Sequence, residues 1–200
     1  MADLRINRAK LRYHLHYSGW KYAVAAVACL GLVSLLFDVT RYVPPREKTV
    51  SFYVTTGFAQ QDALRETLWP EIAERFPEQE ALTVIRMNLE EGDMYSRMQY
   101  TTYLGAGEGD LLLVSRAEYG RLAGTGAETE AFCDLSPYAE EGLLRLAEGE
   151  RFSVSAEGLT GLSDYGCGTE DAVLCVLSGS RNPRTAAGLI GILQARFSAP

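Results

Sequence analysis

The residue types that most often carry catalysis are unevenly placed along this chain of 200 residues. Its two histidines, His14 and His16, both precede a long apolar run at 22–37. Because no histidine follows, a Ser-His-Asp triad, a Cys-His pair and a His-ligated zinc site are excluded from the rest of the chain. The four cysteines have no CxxC or Cys/His spacing typical of a metal site. We interpret the His-x-His pair as juxtamembrane sequence.

Clustered carboxylates are the remaining catalytic candidates, as in a glycosidase with paired carboxylates. The densest groups are Glu90-Glu91-Asp93 and Glu140-Glu141. Adjacent acidic residues at a strand exit or on a helix surface are usually solvated, so we predict that the protein is not an enzyme. The turn Gly105–Gly109 lacks the P-loop lysine and precedes a strand, which argues against a phosphate cradle. We expect no metal and no cofactor.

Small hydroxyl residues stand where the predicted strands end. In open parallel sheets, ligands bind beyond the carboxyl ends of the strands. Hydroxyls with one aromatic ring suit a neutral polar ligand such as a sugar, and ordinary turn and cap residues would give the same pattern. The predicted ligand-binding residues are Thr55, Thr56, Gly57, Phe58 and Ser115. Other residues expected at the same sheet edge are Asn88, Arg116 and Ser178-Gly179-Ser180.

The elements that position these residues alternate between strands and helices. Segments rich in apolar, β-branched and aromatic residues predict strands at 49–58, 81–89, 110–115 and 172–178. Apolar spacing and caps predict helices at 61–76, 93–107, 117–123, 136–149 and 182–197. Pro70 is expected to kink or divide the first of these helices. The alternation predicts an α/β fold, a three-layer sandwich with a mostly parallel sheet, preceded by one transmembrane helix.

The charge-free run Tyr22–Phe37, extended to about twenty residues, matches the thickness of a bilayer core. Five basic residues precede it and three follow it, which favours a cytoplasmic N-terminus by the positive-inside rule. The predicted organisation is a cytoplasmic basic tail at 1–19, a transmembrane helix at 20–42, a linker at 43–48 and an extracytoplasmic α/β domain at 49–200. The protein would thus be a single-pass protein of the cell membrane, anchored by an uncleaved signal-anchor helix.

Three alternatives to a membrane anchor fit the sequence less well. A cleaved signal peptide would use Ala26-Val27-Ala28, but this site lies inside the apolar run. A lipoprotein cysteine at Cys29 is disfavoured for the same reason. A buried helix of a soluble domain is disfavoured by the flanking charges and by Pro44-Pro45 at the exit. A single-span anchor remains the best interpretation.

Charge and cysteine usage bound the function of residues 49–200. This region holds eleven arginines and twenty-three acidic residues, a net charge of −12. Such an acidic domain is a poor candidate for binding nucleic acid or anionic lipid. Cys133 and Cys175 lie in apolar stretches typical of free thiols. Whether Cys167 and Cys175 form a disulfide is left open by the sequence.

Four segments together resemble one family. These are VSFYVTTGF with LRETLWPEIAERFPE, MQYTTYLGAGEGDLLLVS, FCDLSPY, and SGSRNPRTAAGLIGIL. Their order and spacing are similar to the type II periplasmic-binding-protein fold, specifically the extracellular solute-binding proteins for sugars. No segment is diagnostic alone, and together they cover most of residues 49–196.

The resemblance implies a bacterial binding protein that serves an ABC-type uptake system. Family members have two lobes and are about twice as long, whereas here FCDLSPY passes almost directly to a strand-plus-helix ending. The resemblance therefore implies a single lobe, with a half-cleft in place of a closed pocket. We expect a non-catalytic, membrane-anchored binding module whose partner is a membrane transporter, another membrane protein or a small neutral ligand such as a sugar. The alternative is an interaction protein that docks another membrane protein and has lost ligand binding.

Overall fold

The computed structural model describes residues 8–57, 59–87, 89, 94–124 and 128–198, which fall into two compact units, Met1–Val43 and Pro44–Pro200. The described part of the first unit is dominated by one helix, α1 (Arg8–Thr40). Within the described residues, Gly19–Thr40 is the one helical stretch long and apolar enough to cross a membrane, with a mean hydropathy of 2.2. Its apolar side chains are exposed, as Leu30 at 70% and Phe37 at 66% illustrate. The core helix of a soluble domain would instead be largely buried.

The second unit is built on a five-stranded sheet in the order β2-β1-β3-β5-β4. The strands are β1 (Thr49–Val54), β2 (Ala81–Arg86), β3 (Leu111–Ser115), β4 (Ser153–Ser155) and β5 (Ala172–Val176). The helices are α2 (Gln61–Arg75), α3 (Met94–Gly105), α4 (Arg116–Ala123), α5 (Glu128–Ala131), α6 (Ser136–Glu140) and α7 (Pro183–Phe197).

The sheet is mixed, so the expectation of a mostly parallel sheet is matched only in part. β1 pairs in parallel with β2 and with β3, but β5 pairs antiparallel with both β3 and β4. A continuous apolar run is more typical of a parallel strand, but antiparallel β5 is buried on both sides here because both faces of the sheet are covered. Its apolar pattern therefore predicted the strand but left its direction undetermined.

Helices cover both faces of the sheet, so the second unit is an α/β fold with two apolar cores. On one face, Phe52, Leu113 and Leu174 pack with α2 and α7. On the other face, Tyr53, Leu112 and Cys175 pack with Tyr100 of α3 and residues around α4. The alternation of inward and outward side chains along β1 and β3 supplies both cores, as expected for strands buried on both sides.

Several boundaries differ from those predicted. α2 is one continuous helix through Pro70. Proline has no N–H, so the carbonyl of Glu66 loses its helical hydrogen bond. Because Glu66 and Pro70 are both exposed to solvent, water can bond to this carbonyl instead. α6 ends at Glu140 rather than at 149, because a turn follows in which Gly142 adopts a φ of +74°. The glycine-rich region 149–171, left unassigned by the sequence, contains β4 and a 3₁₀ helix at Thr160–Tyr165.

Candidate functional site

The predicted ligand-binding residues lie at the edge where β1 and β3 end. Val54 of β1 aligns with Leu113 of β3, so Thr55 and Ser115 follow neighbouring positions of adjacent parallel strands. The structure therefore brings the described members of this set to one edge, which we call the carboxyl edge. Phe58 lies outside the described residues, as do Asn88 and the acidic residues at 90, 91 and 93.

The threonine hydroxyls at the carboxyl edge donate hydrogen bonds to backbone carbonyls. Oγ1 of Thr55 donates to the carbonyl of Leu113 at 3.0 Å, and Oγ1 of Thr56 donates to the carbonyl of Gly168 at 2.6 Å. The N–H of Gly168 returns a bond to the carbonyl of Thr56 at 3.1 Å. These bonds attach the end of β1 to β3 and to the segment 166–168, so both side chains serve the local fold.

Gly57 is held against that same segment. It forms an isolated antiparallel bridge with Cys167 and has a φ of +76°. A Cβ at this position would lie 2.4 Å from the carbonyl oxygen of Gly166. Only glycine combines this positive φ with so close a backbone approach. The local backbone conformation and packing are therefore sufficient to explain the glycine at position 57.

Ser115 is the N-cap of α4, where its Oγ accepts a hydrogen bond from the N–H of Glu118 at 3.2 Å. The neighbouring Arg116 is committed to other groups: its Nη2 lies 3.1 Å from Oγ of Ser155, and it forms ion pairs with Glu157 and Asp171. The polar groups around the end of β3 are thus capping and pairing groups.

The segment Ser178-Gly179-Ser180 lies at the opposite edge, which corrects its predicted place. Because β5 runs antiparallel to β3, the carboxyl end of β5 meets the amino end of β3. There Oγ of Ser180 donates to Oδ1 of Asp110 at 2.6 Å. Reversal of one strand therefore removes this segment from the carboxyl edge.

A buried polar network that the sequence did not predict occupies this second edge, which we call the amino edge. Its members are the buried polar or charged residues of the described chain: Gln79, Asp110, Asn182 and Thr185. Asp110 accepts from the N–H of Ser51 at 2.8 Å as well as from Ser180. The available signal was Asn182-Pro183, interpreted as a helix start.

Asn182 connects this network to the start of β1. Its Nδ2 donates to the carbonyls of Arg46 and Thr49 at 3.1 and 3.0 Å, and its Oδ1 accepts from Nε2 of Gln79 at 3.2 Å. The side chain therefore bonds to distant backbone groups instead of capping α7. This arrangement fastens the C-terminal helix to the strand that follows the linker, which is a structural role.

The thiols of the second unit are poor nucleophiles. Burial raises the pKa of Cys167 to about 11 and also raises the pKa of Cys175 and Cys133. All three cysteines are free, so the Cys167–Cys175 disulfide left open by the sequence is not formed. A search of the described residues for three or more His, Cys, Asp or Glu that could hold a metal finds no such group.

The second acidic candidate is a surface group. Glu140 is exposed, and Glu141 forms an ion pair with Arg184 at 3.1 Å on the outside of α7. Neither carboxylate lies in a described cavity. The geometry therefore matches the solvated interpretation of this pair.

Comparison of the chain with protein-family models finds no matching family, and comparison with curated proteins finds no match. The family resemblance described above consequently enters only as a proposal.

Proposed function

We propose that this protein is a membrane-anchored binding module, non-catalytic, with its α/β unit on the extracytoplasmic side. The apolar side chains of the helix Gly19–Thr40 are exposed, which supports insertion of this helix into a bilayer. The excess of basic residues before this helix supports a cytoplasmic N-terminus. In this proposal the second unit corresponds to a single lobe of a solute-binding protein of the sugar-binding type.

The choice between a protein partner and a small neutral ligand depends on the hydrogen bonds that the hydroxyls at the carboxyl edge already form. Thr55 and Thr56 donate their hydroxyl hydrogens to backbone carbonyls, and Ser115 caps a helix. A sugar site would need such groups to be available for the ligand. Because these hydroxyls already bond within the chain, docking of another membrane protein is favoured over capture of a small neutral ligand.

The attachment of the anchor is compatible with docking. Eight residues separate the end of α1 at Thr40 from the start of β1 at Thr49. The chain joins the α/β unit at the amino edge, where Asn182 binds Arg46 and Thr49. The carboxyl edge lies at the other end of β1, away from the point where the linker joins the α/β unit. A transporter subunit or another single-span protein would be a partner of suitable location.

Ligand-dependent thermal stabilisation of the full chain in neutral detergent separates the two versions. A panel of sugars and oligopeptides should leave the melting temperature unchanged if docking is the function, because stabilisation by mass action requires a surviving site. A rise with one sugar that is lost in Ser115→Ala and kept in Ser163→Ala would instead support small-ligand binding. Ser163 is a suitable control because it is an exposed serine of the 3₁₀ helix.

The membrane assignment has its own test. Carbonate washing of membranes should leave the chain in the pellet, and protease added outside intact cells with a permeable outer layer should digest residues 49–200. Protection of this region in intact cells together with digestion in inverted vesicles would overturn the proposed orientation. Release by carbonate would overturn the anchor itself.

A further inference from the structure

A groove of about 600 Å³ crosses the outer side of α7, away from the carboxyl edge residues. It is lined by Gly191 and Ala195 of α7, by Arg75 at the end of α2 and by the segment 142–145 after α6. The volume is within the range of small-molecule sites in proteins, about 300–1,000 Å³. The remaining lining residues are Gln194 and Ser198.

The charge of this groove is opposite to that of the unit that contains it. Residues 49–200 carry a net charge of −12, yet the groove is lined by Arg75 and Arg145 and by no aspartate or glutamate. Glu71 of α2 and Glu141, which directly follows α6, form ion pairs with Arg196 and Arg184. An anion in the groove would therefore meet two positive charges and no lining carboxylate.

These two arginines also differ from most others in their pairing. Eight arginines of the second unit form ion pairs with carboxylates: Arg46, Arg65, Arg116, Arg121, Arg151, Arg181, Arg184 and Arg196. In the part of the chain that the structure describes, the guanidinium groups of Arg75 and Arg145 have no carboxylate within ion-pair distance. Arg75 lies in the last turn of α2, where a cation also stabilises the helix dipole. That role does not apply to Arg145, which follows no helix end directly and lies in a loop.

The backbone that carries Arg145 is fixed on α7. Oε1 of Gln194 accepts from the N–H of Arg145 at 2.8 Å, and Nε2 of Gln194 donates to the carbonyl of Arg145 at 2.7 Å. The two arginines that line the groove therefore extend from defined supports, a helix end and a clamped loop. Defined supports lower the ordering cost of binding.

We propose that this groove binds a small soluble molecule through a phosphate or carboxylate group, held between Arg75 and Arg145. The planar guanidinium presents paired N–H donors that match both kinds of anion. A lipid headgroup offers the same phosphate chemistry, but a unit with a net charge of −12 is repelled by an anionic bilayer surface. We therefore assign the groove to a soluble anion.

The test is calorimetric titration of the full chain in neutral detergent with inorganic phosphate and, separately, with citrate, against potassium chloride at equal ionic strength. We expect saturable binding of at least one of these anions. Arg75→Gln and Arg145→Gln should each weaken it by about tenfold, since each removes a charged hydrogen-bonding partner. Arg97→Gln is the matched control, because Arg97 is exposed on α3 at the other face of the sheet and lies outside the groove.

Three outcomes would overturn the proposal: no heat beyond that of potassium chloride, binding that survives in the Arg75→Gln/Arg145→Gln double variant, or an equal loss in Arg97→Gln. Vesicles containing phosphatidylglycerol form a further arm. Binding to these vesicles through the two arginines without binding of either free anion would assign the groove to lipid and refute the soluble ligand. Both arginines are exposed, so Arg145→Gln should leave the melting temperature unchanged and Arg75→Gln should lower it only slightly, through the lost charge at the end of α2; that measurement checks folding.

Discussion

Gly191 lies so close to Leu143 that a Cβ built on the glycine would be 1.8 Å from the carbonyl oxygen of Leu143. The loop after α6 therefore rests directly on the backbone of α7 at this point. Contact between two backbones has no flexible side chain that could move aside. The position of the loop, and with it one side of the arginine groove, depends on the absence of a side chain at residue 191.

Gly191→Ala should destabilise the protein by about 3 kcal/mol or more, because the loop must move away from α7. The expected result is a lower midpoint in urea unfolding of the full chain in detergent. Gly120→Ala is the matched control: it is also a helical glycine, but a Cβ there meets nothing within 4 Å. This control should stabilise slightly, by about 0.5–1 kcal/mol, through helix propensity. Similar effects of both substitutions would contradict the packing argument.

Gln194→Ala should cost about 1–3 kcal/mol, since it removes two hydrogen bonds to the backbone of Arg145. Gln194→Glu should have an intermediate effect, because a carboxylate can accept from the N–H of Arg145 but cannot donate to its carbonyl. Urea unfolding measures both values. Gln99→Ala, on an exposed helical surface with one hydrogen bond of 3.5 Å to Tyr103, should change stability by less than about 0.5 kcal/mol. Equal losses at 194 and 99 would argue against the clamp.

Asp110→Ala should destabilise the protein by about 1–3 kcal/mol for each donor left without a partner. The buried carboxylate accepts from the N–H of Ser51, from Oγ of Ser180 and from the N–H of Asn182, and of these only the N–H of Asn182 keeps a second acceptor, Oγ of Ser180. Circular dichroism during thermal unfolding measures the change. Asp62→Ala is the control, since the side chain of Asp62 is 84% exposed and pairs only with Arg65 of its own helix. A small effect at Asp110 would show that the amino-edge network contributes little to stability.

Stability should fall as the pH is lowered from about 4 to about 2, in part because of Asp134. The side chain of Arg151 and the N–H of Ser136 lower the pKa of Asp134 from 3.8 to about 2. A carboxyl group with a lower pKa in the folded state binds more protons when unfolded, so its contribution is complete above about pH 4 and is lost towards pH 2. The contribution should be below about 1 kcal/mol because the pair is partly exposed.

Urea unfolding at pH 5, 3 and 2 measures this dependence. Asp134→Asn should flatten it over that interval. Added salt should reduce the effect of Asp134, as expected for a screened ion pair. A variant at 134 with an unaltered pH dependence would exclude this contribution.

The sequence by itself determined the local elements. Apolar periodicity predicted α2, α3, α4 and α7 and the four longer strands close to their observed bounds, since burial of one side of each element is a local property of the pattern. The run at 22–37 likewise predicted an apolar helix, and the structure has one there. Residue types alone removed histidine chemistry from everything beyond residue 16.

Only the tertiary structure decided how these elements combine. β5 runs antiparallel to β3, a direction that its uniformly apolar sequence did not specify. This direction places Ser180 beside Asp110 instead of at the carboxyl edge. Arg75 and Arg145, seventy residues apart in the sequence, line one groove together with residues of α7. Long-range pairing of this kind has no signature in local spacing, because it follows from which apolar faces fit together. The sequence predicted candidate residues by type, and the fold decided whether their polar groups were left for a ligand or used by the chain.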